Sequence, residues 1–159
     1  MTRGRYLSID WLKLLANTSP QKTHIHFIGI GGIGMSALAL ILVKRGYSVS
    51  GSDQNTNNSL ENLTSQGITV FKSQRALNIT NISRNRTKSP LIVVSTAIPK
   101  TNPELRAAKN AGLEILHRSD LLAYLIRNQP SIVVSGSHGK TTTSTIITTL
   151  LALSNNDPT

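Results

Sequence analysis

The 159-residue sequence predicts an α/β fold: a parallel sheet flanked by helices, followed by the opening strand, loop and helix of a second α/β domain. Three observations predict it. Short runs of β-forming residues alternate with stretches of helical pattern, as βαβ units require. Two glycine-containing loops each stand between an apolar run and a helical stretch. Beyond Asn128-Gln129-Pro130 the chain carries only one further strand, loop and helix, and one such unit cannot cover its own apolar strand. The expected organisation is a leader over residues 1–23, a first domain over 24–128, and the incomplete start of a second over 129–159.

In the leader, Asp10 is placed to cap a short helix over Trp11–Ala16. His24–Ile28 is rich in β-formers and reads as a strand. Met35–Arg45 is helical in pattern and stops at Gly46. Tyr47–Ser50 is a second strand ending at Gly51-Ser52-Asp53, Ser59–Gln66 a helix closed by Gly67, and Ile68–Phe71 a third strand. Residues 72–89 are polar and loop-like, with one helical turn near Ala76. Leu91–Ser95 is a continuous apolar run, which suits a strand buried on both faces. Pro103–Asn110 is a helix with Pro at its start and Gly112 beyond its end. Glu114–Leu116 is a short strand and Ser119–Arg127 a helix. Ser131–Ser135 reads as another buried strand, Gly136–Thr141 as a loop, and Thr142–Leu153 as a helix.

Composition bounds the function. Apolar residues make up 38%, enough for a core of Ile, Leu, Val and Ala. Lysine and arginine number 17 against 7 acids, a formal charge of +10 that favours anionic partners. The basic residues are scattered without aromatic interleaving, so no specific nucleic-acid partner is expected. The densest group, Arg84, Arg86 and Lys88, lies among Asn and Ser and reads as a solvated loop. There is no cysteine, which excludes disulfides and thiolate metal sites and fits a cytoplasmic setting. No run approaches about 20 apolar residues, so no membrane span is expected.

The first loop is Gly29-Ile30-Gly31-Gly32-Ile33-Gly34, a G-x-G-x-x-G between strand and helix. Its glycines let backbone N–H groups approach a pyrophosphate, and the following helix turns its positive end to that charge. Asp53 follows Gly34 by 19 residues, at the end of the next strand, where an acid can hold a ribose hydroxyl; it could equally serve as a turn or cap residue. By itself the loop defines a Rossmann-like domain and fits an NAD-binding module as well as any other nucleotide site.

The second loop is Gly136-Ser137-His138-Gly139-Lys140-Thr141, again between an apolar run and a helix. It reads as a P-loop, with Val134 at the first glycine position. Its amides and Lys140 would hold ATP phosphates, and the Thr141 hydroxyl would ligate Mg²⁺. His138 fits either a nucleotide contact or a hydrogen bond within the loop. Thr141, Thr142 and Thr143 suit a helix start that faces phosphate. A dehydrogenase has no need of ATP, and a simple ATPase has no need of the first loop. An ATP-driven enzyme acting on a nucleotide-linked substrate needs both.

Four segments in order then resemble the Mur ligase family, in its UDP-N-acetylmuramate–L-alanine ligase branch. They are His26-Phe27-Ile28-Gly29-Ile30-Gly31-Gly32-Ile33-Gly34-Met35-Ser36; Ser50-Gly51-Ser52-Asp53; Val93-Val94-Ser95-Thr96-Ala97-Ile98 with Asn102-Pro103-Glu104-Leu105; and Gly136 to Thr143. The resemblance spans residues 24–159. It implies a three-domain enzyme whose first domain binds the UDP-sugar, whose central domain binds ATP, and whose last helps bind the amino acid. On that basis Gly29, Gly31, Gly32, Ile33, Gly34, Met35, Ser36, Asp53, Ser95 and Thr96 would hold UDP-N-acetylmuramate. Gly136, Ser137, His138, Gly139, Lys140, Thr141 and Thr142 would hold ATP, with Lys140 and Thr141 catalytic and Thr141 one ligand of an incomplete Mg²⁺ site. Ser137 replaces the family's usual Thr, and Ser73-Gln74 stands where the family carries Gly-His. The L-alanine pocket and remaining Mg²⁺ ligands would lie beyond Thr159, so this chain is expected to keep UDP-sugar binding without turnover. A nucleotide- or NAD-binding module without catalysis is the alternative.

Overall fold

The computed structural model describes residues 20, 23–55, 58–84, 89–127 and 130–154. The expected helix behind Asp10, the basic positions Arg86 and Lys88, and the Asn128-Gln129 boundary lie outside them. The chain divides into two compact units, Met1–Tyr124 and Leu125–Thr159.

The first unit holds a five-stranded parallel sheet in the order β3-β2-β1-β4-β5. Its elements in chain order are β1 (His24–Ile28), α1 (Ile33–Lys44), β2 (Ser48–Ser52), α2 (Asn58–Ser65), β3 (Thr69–Phe71), α3 (Ala76–Ser83), β4 (Leu91–Val94), α4 (Pro103–Asn110), β5 (Ile115–His117) and most of α5 (Arg118–Arg127), whose residues from Leu125 on fall in the second unit. β1 is central: Ile25 pairs with Val49 on one side and Leu91 on the other. All five of its residues are buried, as a strand covered on both faces should be. Because side chains alternate, His24, His26 and Ile28 share one face and Ile25 and Phe27 the other. Ile28 and Ile92 pack with Ile79 and Ile82 of α3 and Leu105 and Ala108 of α4. Removing such an aliphatic side chain from water contributes about 1.5–3 kcal/mol.

Two expectations are corrected. Residues 72–89 are not a loop with a single turn: Ala76–Ser83 is a full helix. Its polar sequence hides a narrow apolar stripe, Ile79 and Ile82, three residues apart on one face. Residues 131–135, read as a buried strand, form none. They join no strand of the sheet; Ser131 Oγ donates to the Ile126 carbonyl at 3.2 Å, and Ile132 is 64% and Val133 73% exposed. A β-branched run becomes a strand only when a neighbouring strand takes its N–H and C=O groups in a ladder. The second unit otherwise contains α6 (Lys140–Leu153), none of whose residues is buried. Among the described residues, no helix is long and apolar enough to cross a membrane.

A polar seam runs inside the first unit. Ser50 Oγ lies 2.7 Å from both His24 Nε2 and His26 Nδ1. His26 Nε2 is 2.9 Å from Glu104 Oε1, which also accepts from Asn78 Nδ2 at 2.9 Å. Ser52 Oγ donates to the other oxygen of Glu104. Glu104 and His26 are fully buried. A buried carboxylate is tolerable only when its acceptor capacity is met, and here donors from β1, β2 and α3 meet it.

Candidate nucleotide-binding site

The glycine loop is fastened to the carboxyl end of β2. Gly29 turns the chain with φ +84°. Its N–H and that of Ile30 both donate to the Ser52 carbonyl, at 2.8 and 3.0 Å. The Gly31 N–H donates to Asp53 Oδ2 at 2.8 Å, and Asp53 Oδ1 accepts the Asn55 N–H at 2.9 Å. A Cβ on Gly31 would stand 2.9 Å from that carboxylate and 3.2 Å from Leu60, so the loop passes where no side chain fits. Asp53 is buried and braces the loop through both oxygens, which is the turn role left open by its position in the sequence.

Gly32 caps α1 in extended conformation with no side-chain hydrogen bond. The N–H groups of Met35 and Ser36 return to its carbonyl at 2.9 and 2.8 Å. Those of Ile33 and Gly34 have no acceptor among the described residues, and Gly32 and Ile33 are exposed. Two unpaired amides at the positive end of a helix are suited to bind an anion.

The strand order reverses between β1 and β4, and open α/β sheets bind ligands at the carboxyl ends flanking such a reversal. Both predicted segments meet there. Ser95 is half-buried and Thr96 exposed just after β4. The Ile98 N–H donates to the Ser95 carbonyl at 3.1 Å, and Ile98 Cδ1 lies 3.0 Å from where a Gly29 Cβ would be. Met35 turns its side chain into the core at 3% exposure, and Ser36 Oγ donates to the Ile33 carbonyl at 3.0 Å. Of the predicted set, Gly31, Asp53 and Met35 build the loop, while Gly32, Ile33, Gly34 and Thr96 face outward or stand at its mouth.

Two contributors escaped the sequence reading. Gln74 is buried, accepts from Asn102 Nδ2 at 2.6 Å, and brings its Nε2 to 3.8 Å from the Gly29 Cβ position. The signal was the Ser73-Gln74 departure itself. Arg118, just before the expected helix start at Ser119, brings its guanidinium to Gly34: Nη1 would be 2.5 Å from a Cβ there. No local pattern marks that approach, because the two residues follow different strands.

In the second unit, Gly139 takes a left-handed conformation at φ +76° and precedes α6. Lys140 Nζ donates to the Gly136 carbonyl and, at 3.3 Å, to that of Ser137. Gly136 to Thr142, His138 among them, are exposed. The Thr143 N–H reaches the Gly139 carbonyl at 2.9 Å, which leaves the first amides of α6 directed outward. This fits nucleotide phosphates. Thr141 offers one hydroxyl to a cation, and among the described residues no group of three His, Cys, Asp or Glu could hold a metal ion.

Comparison with known proteins agrees with this architecture. Residues 24–130 match the model of the Mur ligase family, catalytic domain. The UDP-N-acetylmuramate–L-alanine ligase of Prochlorococcus marinus (strain MIT 9303) is 62% identical over 149 residues, covering 94% of this chain and 30% of the relative. That of Synechococcus sp. (strain CC9311) is 56% identical over 145 residues, covering 91% and 30%. Among solved structures, the UDP-N-acetylmuramate–alanine ligase MurC of Thermotoga maritima superimposes with a TM-score of 0.71 at 30% identity, over 81% of this chain and 29% of that one. The UDP-N-acetylmuramate:L-alanyl-gamma-D-glutamyl-meso-diaminopimelate ligase of Neisseria meningitides gives 0.75 at 28% identity, over 83% and 40%. The chain thus spans about 30% of the length of the curated relatives it matches. With its glycine loop at the sheet's reversal and its residues matched over most of their length, the chain belongs to the Mur ligase family.

Proposed function

We propose that this chain carries the UDP-N-acetylmuramate-binding portion, and the first ATP-binding loop, of a cytoplasmic ligase that joins L-alanine to UDP-N-acetylmuramate in peptidoglycan biosynthesis. The observation that carries the reading is the glycine loop at the β1/β4 reversal, whose Ile33 and Gly34 amides are open to an anion. Asp53, the residue a dinucleotide site would use on ribose, is instead buried and engaged with Gly31 and Asn55. That favours a uridine diphosphate over NAD. The names of the relatives supply the amino acid and the sugar.

In the complete enzyme the reaction has two steps. A muramate carboxylate oxygen bonds to the γ-phosphorus of ATP, the bond to the β-phosphate oxygen breaks, and ADP leaves. The alanine amine attacks the acyl phosphate carbon, phosphate departs with the C–O electron pair, and the amine loses a proton to leave an amide. Phosphorylation is needed because a carboxylate has no adequate leaving group. The Ile33 and Gly34 amides of the glycine loop would hold the nucleotide end of the substrate. Lys140, with the N-terminal amides of α6, offsets charge on the transferred phosphoryl oxygens. Bound Mg²⁺ would supply further charge neutralisation, with Thr141 as one ligand. The chain by itself is expected to bind UDP-sugar without turnover. Calorimetry on the chain with UDP-N-acetylmuramate and with NADH tests the reading. Heat with the sugar nucleotide and none with NADH is expected; tight NADH binding without a response to the sugar nucleotide overturns it.

A further inference from the structure

In a dinucleotide loop the third glycine lets a helix approach a strand closely. Gly34 does something else. The space its Cβ would fill is taken by the guanidinium of Arg118, with Nη1 at 2.5 Å and Cζ at 3.7 Å. Arg118 is exposed, follows β5 directly, and makes no hydrogen bond or ion pair among the described residues. A guanidinium stays charged under all ordinary conditions. It therefore stands as an uncompensated cation against the positive end of α1, beside the open Ile33 and Gly34 amides. Like placed against like is unfavourable unless an anion joins them.

A second unmet group adjoins it. His117 engages Ser119 Oγ through Nδ1 at 2.7 Å, while its Nε2 is closed off from solvent and has no partner among the described residues. Buried polar atoms without partners are rare enough that each calls for a reason. Here the orphan nitrogen and the unpaired guanidinium are consecutive residues at the carboxyl edge of the sheet, where the loop after β1 opens.

We infer that Arg118 is a diphosphate clamp of this site, its planar fork gripping phosphate oxygens from the side opposite the loop amides, and that position 34 is glycine because a side chain there would evict it. A fork suits two oxygens of a pyrophosphate better than a point charge would. Arg118 would thereby select diphosphate-linked nucleosides over monophosphates. The inference rests on the reading of the glycine loop as a uridine diphosphate site.

Calorimetric titration of the chain and its Arg118→Gln, Arg118→Lys and Gly34→Ala variants with UDP-N-acetylmuramate, UDP and UMP tests it. Arg118→Gln should weaken UDP and UDP-N-acetylmuramate by about 10- to 100-fold, the range for a charge-assisted bond, and should reduce the preference for UDP over UMP. Arg118→Lys should recover part of the loss, and Gly34→Ala should reproduce it. The urea midpoint of Arg118→Gln should be no lower than that of the parent, since this side chain makes no hydrogen bond or ion pair among the described residues. Unchanged UDP affinity in Arg118→Gln, with the parent binding normally, overturns the clamp and leaves the loop reading standing. Equal losses for UDP and UMP overturn its selective role. A parent chain that binds no uridine nucleotide removes the loop reading and the clamp together.

Discussion

Replacing Glu104 by Ala should be among the most damaging single changes to the first unit. Glu104 is fully buried and accepts from His26 Nε2, Asn78 Nδ2 and Ser52 Oγ. Truncation removes the acceptor from all three donors at once. Leaving one buried donor unsatisfied costs about 1–3 kcal/mol, and three donors lose their acceptor here. Because the three donors share one carboxylate, their losses overlap, and about 3–5 kcal/mol is expected in total. Domains of this size have about 5–15 kcal/mol to lose. With an m-value of about 2 kcal/mol/M, the urea midpoint should fall by about 2 M, followed by far-UV circular dichroism. Glu104→Gln keeps one accepting oxygen and should lose less than half as much. A fall below about 0.5 M for Glu104→Ala would refute the account of this carboxylate as the acceptor that joins β1, β2 and α3.

Gly51→Ala should destabilise by about 1–3 kcal/mol, because the new Cβ would meet Ile30 Cβ at 2.6 Å and the Phe27 carbonyl at 2.9 Å; thermal melting reads this, and an unchanged midpoint would contradict the contact. Asn102→Ala should cost about 1 kcal/mol in urea titration, since Asn102 Oδ1 accepts the Glu104 and Leu105 N–H groups at 3.0 Å each and caps α4. Tyr47 has its phenol pushed up to about 12, chiefly by burial and then by its hydrogen bond with Tyr124. Its neutral form is favoured by folding, so its contribution is complete below pH 10 and fades as pH rises towards 12; Tyr47→Phe should lose less stability than the parent across that window in alkaline melts. Limited proteolysis should remove the segment that begins at 131 before it cuts the first unit, because Ile132 and Val133 are exposed and unpaired there. Mass spectrometry showing both parts equally protected would contradict this.

The sequence yielded the sheet most readily where residue type and local punctuation agree. His24–Ile28 and Pro103–Asn110 were legible to the residue, the first from its β-formers before a glycine turn, the second from Pro103 at its start and Gly112 beyond its end. The helix at Ala76 was hidden because only Ile79 and Ile82 face the core, and buried Asn78 looks like a loop residue until its partner Glu104 is in place. The opposite error occurred at 131–135, where apolar content suggested a strand and the structure has none. The glycine loop was legible because its chemistry is local. Asp53 was located, but its engagement with Gly31 was not, and Arg118 was invisible as a site residue because its contact with Gly34 is made only when β5 is laid beside β4.

The alternation of imidazole and hydroxyl along the centre of the sheet has a consequence for how the strands find each other. His24 aligns with Ser48, His26 with Ser50 and Ile28 with Ser52. Sliding β2 past β1 by one position would turn each serine to the other face of the sheet, marooning two rings and a carboxylate in hydrocarbon. Apolar side chains alone would tolerate such a slip more easily. These few matched dipoles act as a key cut for one lock position, and the glycine loop, tied to Ser52 and Asp53 at the end of β2, inherits its placement from that single alignment.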